Sequence, residues 1–383
     1  MLPLIQAVND TIERYISQFA KSEDAFELKD TMGKFSMDAL ASCAFGVDSG
    51  SFTDKNSEFV KHAQKLFEFG DPIVITRSIM ALFTPTKVKQ FFAKLGFVSL
   101  FAWPNLQHSK FFIQVVEATI KQRIESKTKR NDLIDMMMDA LEGRLDVTEE
   151  NDHANDQYEQ DAKLIGHSKK TKDLDYEHVI STAMILLIAG YDSTGTTMSY
   201  ILYELAINQD YQDILFEEIE NAKKGGSKLS YETIQSLPYL DAVIHETLRR
   251  HPVIAALERP CTKDYKMPNT NLAIKKGDLI RVNNIGICFD PDIFPNPEEW
   301  NPDNFSKESR AGRNPYSFMA FSLGPRNCLA MRFALFEMKV CISDLVSKFR
   351  FVPCEKTCKN VQWDPKLILG GAKGGLWIKC ENR

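Results

Sequence analysis

The sequence predicts a mainly α-helical fold with small β-sheets, on three observations. Apolar residues recur at helical spacing through the first two thirds of the chain. After Pro252 that spacing gives way to short strand-like runs separated by turn signals. The tail, KLILGGAKGGLWIKC, reads as a glycine-turned hairpin.

The elements follow in order. MLPLIQAVNDTIERYISQFAK places Leu4, Ile5, Val8, Ile12, Tyr15, Ile16 and Phe19 on one face, so it reads as an amphipathic helix and not a signal peptide. GKFSMDALASCAFG and FFIQVVEATIKQRIES carry helical periodicity. The phenylalanine-rich run from Phe91 to Phe112 reads either as a core helix pair or as a greasy lid or membrane-touching patch. Leu141 to Asp175 turns polar, acidic first and basic later, which predicts a long mobile surface loop.

A strongly apolar helix is expected from about Tyr176 to Asn208. Its longest uncharged apolar stretch, Val179 to Tyr191, is too short to span a membrane, which takes about 20 residues. YETIQSLPYLDAVIHETLRRHP reads as another helix, stopped by Pro252. Turns at Pro268-Asn269 and Lys276-Gly277 then part short strands, and an irregular DPDIFPNPEEWNPDNF leads into a cysteine loop and a last buried helix.

The chain has 383 residues, 44% hydrophobic and 26% charged, which is ordinary globular usage. A net charge of -5 without any basic tract excludes a nucleic-acid binder. Eight cysteines in so long a chain do not make a disulfide framework. Cys354 and Cys358 lack the second pair that a zinc site needs. Reduced thiols facing the cytosol are expected.

Three constellations carry chemistry. In FSLGPRNCLAMRFALFEMK, Cys328 follows a loop of Gly324, Pro325 and Arg326 and precedes an apolar helix. A thiolate there is stabilised by the helix dipole. If buried, it needs a positive partner, and a sole protein thiolate suits an iron already held in a macrocycle. Gly324 permits a tight turn below such a ring, Arg326 can meet a cofactor carboxylate, and Phe321 can cover the sulfur. A buried structural cysteine is the plain alternative. In AGYDSTGTT, poor helix formers lie in mid-helix, where hydroxyls can bond back to carbonyls. Asp192 and Ser193 form a candidate proton-delivery pair; a small-residue helix crossing explains the same residues. In ETLRRHP, Glu246 and Arg249 share a helix face, either as an ordinary exposed pair or as a buried anchor for a neighbouring loop.

Together, in order and spacing, these motifs resemble the cytochrome P-450 family of haem-thiolate monooxygenases, and in particular its microsomal xenobiotic- and steroid-oxidising group. FSLGPRNCLA resembles the cysteine-loop signature, AGYDST the oxygen-binding helix, ETLR the Glu-x-x-Arg motif, and NPDNF the segment that completes a Glu-Arg-Arg network. The resemblance runs from Met1 to the end and implies one domain over 1–383.

It implies that Cys328 is the axial ligand of haem b, and that Arg326 and Arg259 meet its propionates. Phe321, Gly324, Ala189 and Gly190 would border the haem. Asp192 would relay protons, and Ser193, with Thr194 beside it, stands where an oxygen-activating threonine is usual. Glu246 and Arg249 would form the haem-retention pair. This chain departs at Ser193, at Ala330 in place of a glycine, and at Asn304 in place of the network's second arginine. The family's membrane anchor, first sheet and early helices are expected to have no counterpart in these 383 residues, giving an N-terminally truncated form of the fold.

The resemblance further implies insertion of one oxygen atom from O2 into a lipophilic small molecule, with electrons from an NADPH-dependent reductase. The setting would be the cytosolic face of the endoplasmic reticulum membrane, with peripheral contact only. An inactive or haem-binding-only product is the alternative. A haem-thiolate isomerase or dehydratase is a third reading, disfavoured by the intact relay helix.

Overall fold

The computed structural model describes residues 2–54, 57–66, 76, 84, 88, 106–130, 132–142, 175–223, 226, 228–364 and 369–383. Helices dominate, as the periodicity predicts. Helix α1 (Leu2–Ser22) buries Ile5, Val8, Ile12 and Ile16, the stripe that its spacing marks. Strand β1 (Phe26–Glu27) leads straight into α2 (Leu28–Leu40), where the Glu27 side chain caps the helix by accepting from Asp30 N at 2.6 Å. A π-helical turn (Ala41–Phe45) extends α2 and ends at Gly46, whose φ of 64° suits glycine.

Helices α3 (Glu58–Leu66), α4 (Leu106–Ser126) and α5 (Leu133–Leu141) follow. The long α6 (Tyr176–Ile207) runs through both hydrophobic cores. Its first half packs Val179, Ala183 and Leu187 with α3, α4 and α5. Its second half packs Met198, Ile201, Leu202 and Leu205 with α1, α2 and the C-terminal helices. It thus ties the two halves of the molecule together.

Helices α7 (Gln209–Lys223), α8 (Tyr231–Gln235) and α9 (Pro238–Arg250) come next. The sequence suggests one helix over the last two, but the structure breaks it at Ser236 and Leu237. Pro238 has no N–H to give an interior turn and fits as the first residue of a new helix.

Two small sheets lie beyond α9. Strand β2 (Ala256–Pro260) pairs antiparallel with β5 (Leu279–Asn283), placing Arg259 opposite Ile280. Between them, β3 (Tyr265–Lys266) pairs with β4 (Ala273–Ile274). Asn269 at φ 60° and Gly277 at φ 97° occupy the expected turns. Short helices α10 (Asn284–Cys288) and α11 (Lys307–Ala311) flank a 3-10 turn at Pro302–Phe305. Helix α12 (Met331–Lys348) then crosses the main core and runs into β6 (Phe349–Pro353).

The tail differs from the expected hairpin. Strand β7 (Trp377–Asn382) pairs with β6 and β1 in a three-stranded sheet of order β1-β7-β6. The tail's own return is a single bridge between Trp363 and Ala372. Burying Ile378 and Cys380 against α1 outweighs the local turn preference. The expected mobile loop from Leu141 to Asp175 lies outside the described residues except at its ends, where Leu141 closes α5 and Asp175 caps α6. The phenylalanine-rich run is likewise undescribed before Leu106. No described helix is long and apolar enough to cross a membrane.

Candidate active site

The cysteine loop is built by backbone bonds. Cys328 N donates to Phe321 O at 2.8 Å, and Asn327 N to Gly324 O at 3.0 Å, closing a compact turn. Gly324 sits at φ 82°, and a side chain added there would meet open space, so backbone conformation alone asks for glycine. Phe321 packs on the main core and lines a cavity of about 20 Å³ behind the loop with His245, Phe318 and Met331.

The loop differs from the reading of a helix that begins directly after the cysteine, and its thiol is not enclosed as a buried structural cysteine would be. Cys328 is exposed rather than buried. Helix α12 starts three residues later, at Met331, with Ala330 as a cap that makes no side-chain bond, and Leu329 is 82% exposed. The Cys328 thiol is pushed up by the protein crowded around it, against the pull of the Ala330 N–H.

Arg259 on β2 reaches across to the same loop. Its guanidinium donates to Ser322 Oγ at 3.1 Å and to Arg326 O at 3.3 Å. The Arg259 and Arg326 side chains are exposed, and neither has a carboxylate partner among the described residues. Two exposed guanidinium groups, one on the loop of the exposed Cys328 and one bonded to it, form a donor set suited to a flat metal complex carrying acidic groups. The residues present therefore fit a haem.

Helix α6 supplies a second surface. Ile185 (66% exposed), Ala189 and the half-buried Ser193 repeat every four residues along one face of a helix whose flanks are otherwise core. The Ser193 hydroxyl donates to Ala189 O at 2.6 Å, Thr197 to Ser193 O at 2.9 Å and Ser199 to Gly195 O at 2.6 Å. These are the back-bonds foreseen, and α6 accommodates them without a break. Thr194 is buried, on a different side from Ser193.

Asp192 is buried and turns to α2, where Lys29 Nζ lies 3.3 Å from Oδ1. Burial pushes the Asp192 carboxyl above its ordinary value, and Lys29 opposes that rise. Asp192 and Ser193 are thus neighbours in sequence with different partners. The glycines of this motif serve the α2–α6 crossing. A side chain at Gly195 would strike the Gly33 Cα at 3.0 Å and Met32 O at 3.2 Å; one at Gly190 would meet Leu40 at 3.0 Å.

The Glu246–Arg249 pair is fully buried, with both side chains 0% exposed. Arg249 Nε and a terminal nitrogen each lie 2.8 Å from a different carboxylate oxygen. The guanidinium also donates to the Cys288, Pro297 and Glu299 carbonyls, between 2.8 and 2.9 Å. Glu246 accepts from Asn301 N at 2.8 Å and from Asn304 Nδ2 at 3.2 Å. Every charge thus has hydrogen-bond partners, which burial requires. The pair anchors the irregular segment that leads to the cysteine loop.

Sequence reasoning missed two groups. Asp241, bound to His245, Arg310 and Lys339, secures α9 to α11 and α12. Burial alone would raise its carboxyl, but those three partners hold it well below the ordinary range. Glu337, in the apolar helix after Cys328, is 1% exposed. Its position amid apolar neighbours in FALFEMKV was the available signal.

The chain matches the profile described as Cytochrome P450 over residues 1–375. It is 31% identical to Cytochrome P450 6B7 of Helicoverpa armigera over 384 residues, covering all of this chain and 71% of that relative. It is 32% identical to Cytochrome P450 3A11 of Mus musculus over 360 residues, 93% of this chain and 65% of the relative. With Blattella germanica Cytochrome P450 6k1 the identity is 31% over 366 residues, 93% and 66% of the two chains. The chain belongs to the cytochrome P450 family of haem-thiolate monooxygenases.

Proposed function

We propose that this monooxygenase inserts one oxygen atom into a lipophilic small molecule, with haem b as cofactor and an NADPH-dependent reductase as electron donor. The observation that carries the site assignment is the exposed Cys328 in a loop that bears Arg326 and is bonded by Arg259, neither guanidinium having a carboxylate partner among the described residues.

In this reading Cys328 would bind the haem iron, and Arg259 and Arg326 would hold the propionates. When bound, the haem supplies reductive activation of dioxygen, which no side chain can perform alone. Phe321 and the Gly324 turn fix the sulfur's position. The apolar face of Ile185 and Ala189 excludes water and leaves the Ser193 hydroxyl as the polar group on that face. Ser193 holds a proton at Oγ, and Asp192, whose carboxyl is raised by burial, replenishes protons from the Lys29 side of α6. Thr194, being buried, supports the helix at that point. The Glu246–Arg249–Asn304 network holds the chain that precedes the cysteine loop. The lipophilic substrate class is supported by the apolar character of that α6 face. The endoplasmic reticulum surface is the proposed setting.

The spectrum of the reduced protein with carbon monoxide tests the assignment. A thiolate-type Soret band that disappears in Cys328→Ser is expected. A histidine-type band in the unaltered chain removes Cys328 as ligand.

A further inference from the structure

Glu337 lies in α12, in the main core, with no lysine or arginine paired to it among the described residues. One carboxyl oxygen, Oε1, is buried and has no hydrogen-bond partner. The group beside it is the Ser36 hydroxyl of α2, itself fully buried. Ser36 Oγ also lies 3.4 Å from the carbonyl of Gly190 in α6. Three helices therefore meet at one hydroxyl.

A serine hydroxyl has one proton to give and two lone pairs to accept with. Here two acceptors compete for that proton: the Gly190 carbonyl and the Glu337 carboxyl. If Glu337 is un-ionised, its own O–H donates to Ser36, and Ser36 donates on to Gly190. The acid's O–H, the Ser36 hydroxyl and the Gly190 carbonyl then each have a partner, and only the neutral Oε1 is left without one. If Glu337 is ionised, the carboxylate draws the Ser36 proton and the Gly190 carbonyl loses its side-chain partner. Gly190 adjoins Ala189, whose carbonyl receives the Ser193 hydroxyl. The state of Glu337 thus bears on the segment that holds that hydroxyl.

The surroundings favour the un-ionised acid. Cys43 of the π-helical turn and Cys341 of α12 are the titratable groups that sense Glu337, and burial pushes both thiols up. Asp344, further along α12, adds negative charge near Cys341, while Asn9 of α1 is neutral. The Lys29–Asp192 pair on the α2–α6 interface is satisfied within itself. Burial pushes the Glu337 carboxyl up to about 8, with Ser36 opposing.

We propose that Glu337 is a positioning residue: through Ser36 it sets the hydrogen bonding of the Gly190 carbonyl, and with it the alignment of Ala189 and Ser193. This rests on the assignment of that segment to the oxygen-handling face. The consequence is an enzyme whose coupling of oxygen use to substrate oxidation depends on a proton buried behind the site.

The test has two readouts on the full chain. The infrared stretch of an un-ionised carboxylic acid should be present at neutral pH and vanish through about pH 8. It should be missing in Glu337→Gln and shift to higher frequency in Ser36→Ala, which removes the hydrogen-bond link. With haem bound, peroxide released per electron should rise about two-fold or more across the same pH interval. Glu337→Gln, whose amide donates to Ser36 at any pH, should flatten that rise, and Ser36→Ala should leave peroxide high throughout. Lack of the acid band in the unaltered protein, or a pH response that survives Ser36→Ala unchanged, overturns the proposal. A missing thiolate spectrum with the acid band intact counts against the haem assignment instead.

Discussion

Asn304 Nδ2 donates to Glu246 Oε1 at 3.2 Å, so a neutral amide joins the partners of this buried carboxylate. The amide gives the carboxylate a hydrogen bond without adding a charge. Glu246 and Arg249 then form a neutral pair overall, closed by backbone donors and carbonyls. Arg313, whose guanidinium donates to Asn304 O at 2.7 Å and covers the Phe294 ring at 4.3 Å, brings a cation to the network's edge. The anchor is therefore one buried ion pair closed mainly by neutral donors and acceptors.

Removing either member of the buried pair should be severe. Glu246→Ala and Arg249→Ala each leave one charge unpaired in the core, at a cost on the order of 3–5 kcal/mol. Asn304→Ala removes a single bond to a charged group and should cost about 1.5–3 kcal/mol. Thermal unfolding of haem-loaded protein checks the order. An Asn304→Ala protein as unstable as Arg249→Ala would show that the amide, and not the ion pair, holds the segment.

Much of this site was legible in the sequence because its motifs are short and local. Cys328, Glu246 and Arg249 sit at spacings that fix their helix or loop context, and Gly324 declares a positive φ. What was not legible depends on other elements. Whether Glu246–Arg249 was an exposed pair or a buried anchor turned on Asn301 and the carbonyls of Cys288, Pro297 and Glu299, about 40 to 55 positions away. The small residues of AGYDSTGTT left a proton-delivery pair and a helix crossing both open; the approach of Gly33 and Leu40 shows that Gly195 and Gly190 serve the crossing. The tail's pairing with β6 and β1 is long-range, and local turn chemistry cannot show it.

The partner of Asp192 gives a second prediction. Lys29→Met leaves the Asp192 carboxylate buried without its cation and should cost about 1–3 kcal/mol. Asp192→Asn in that background should recover most of the loss, because no charge then needs a partner. A double-mutant cycle by denaturant unfolding reads the coupling. Additive losses would mean that the 3.3 Å contact contributes nothing.

Ser193 should hold the working hydroxyl, since Thr194 is buried on another side of α6. Ser193→Ala should slow product formation by about 100-fold and divert electrons to peroxide. Ser193→Thr should lower peroxide per electron, because the added methyl restricts the side-chain rotamers. The Thr194→Ala variant should change peroxide yield far less than Ser193→Ala does. The reverse ranking would transfer the role to Thr194.

Glu337 yields a stability prediction whose sign follows from its raised carboxyl. The folded form holds its proton up to about pH 8, whereas the unfolded chain releases it near the ordinary value of 4.5. Between those limits the folded state binds more protons than the unfolded state. Stability from this group is therefore fully present below about pH 4.5 and declines as pH rises to about 8, at about 1.4 kcal/mol per unit. Above that interval the slope ends. Glu337→Gln has no proton to lose, so its stability relative to the unaltered protein should grow steadily across the interval and then level off. Unfolding midpoints at several pH values measure the difference. A constant difference between the two proteins would show that Glu337 ionises alike in both states, and that its burial brings no penalty to the charged form.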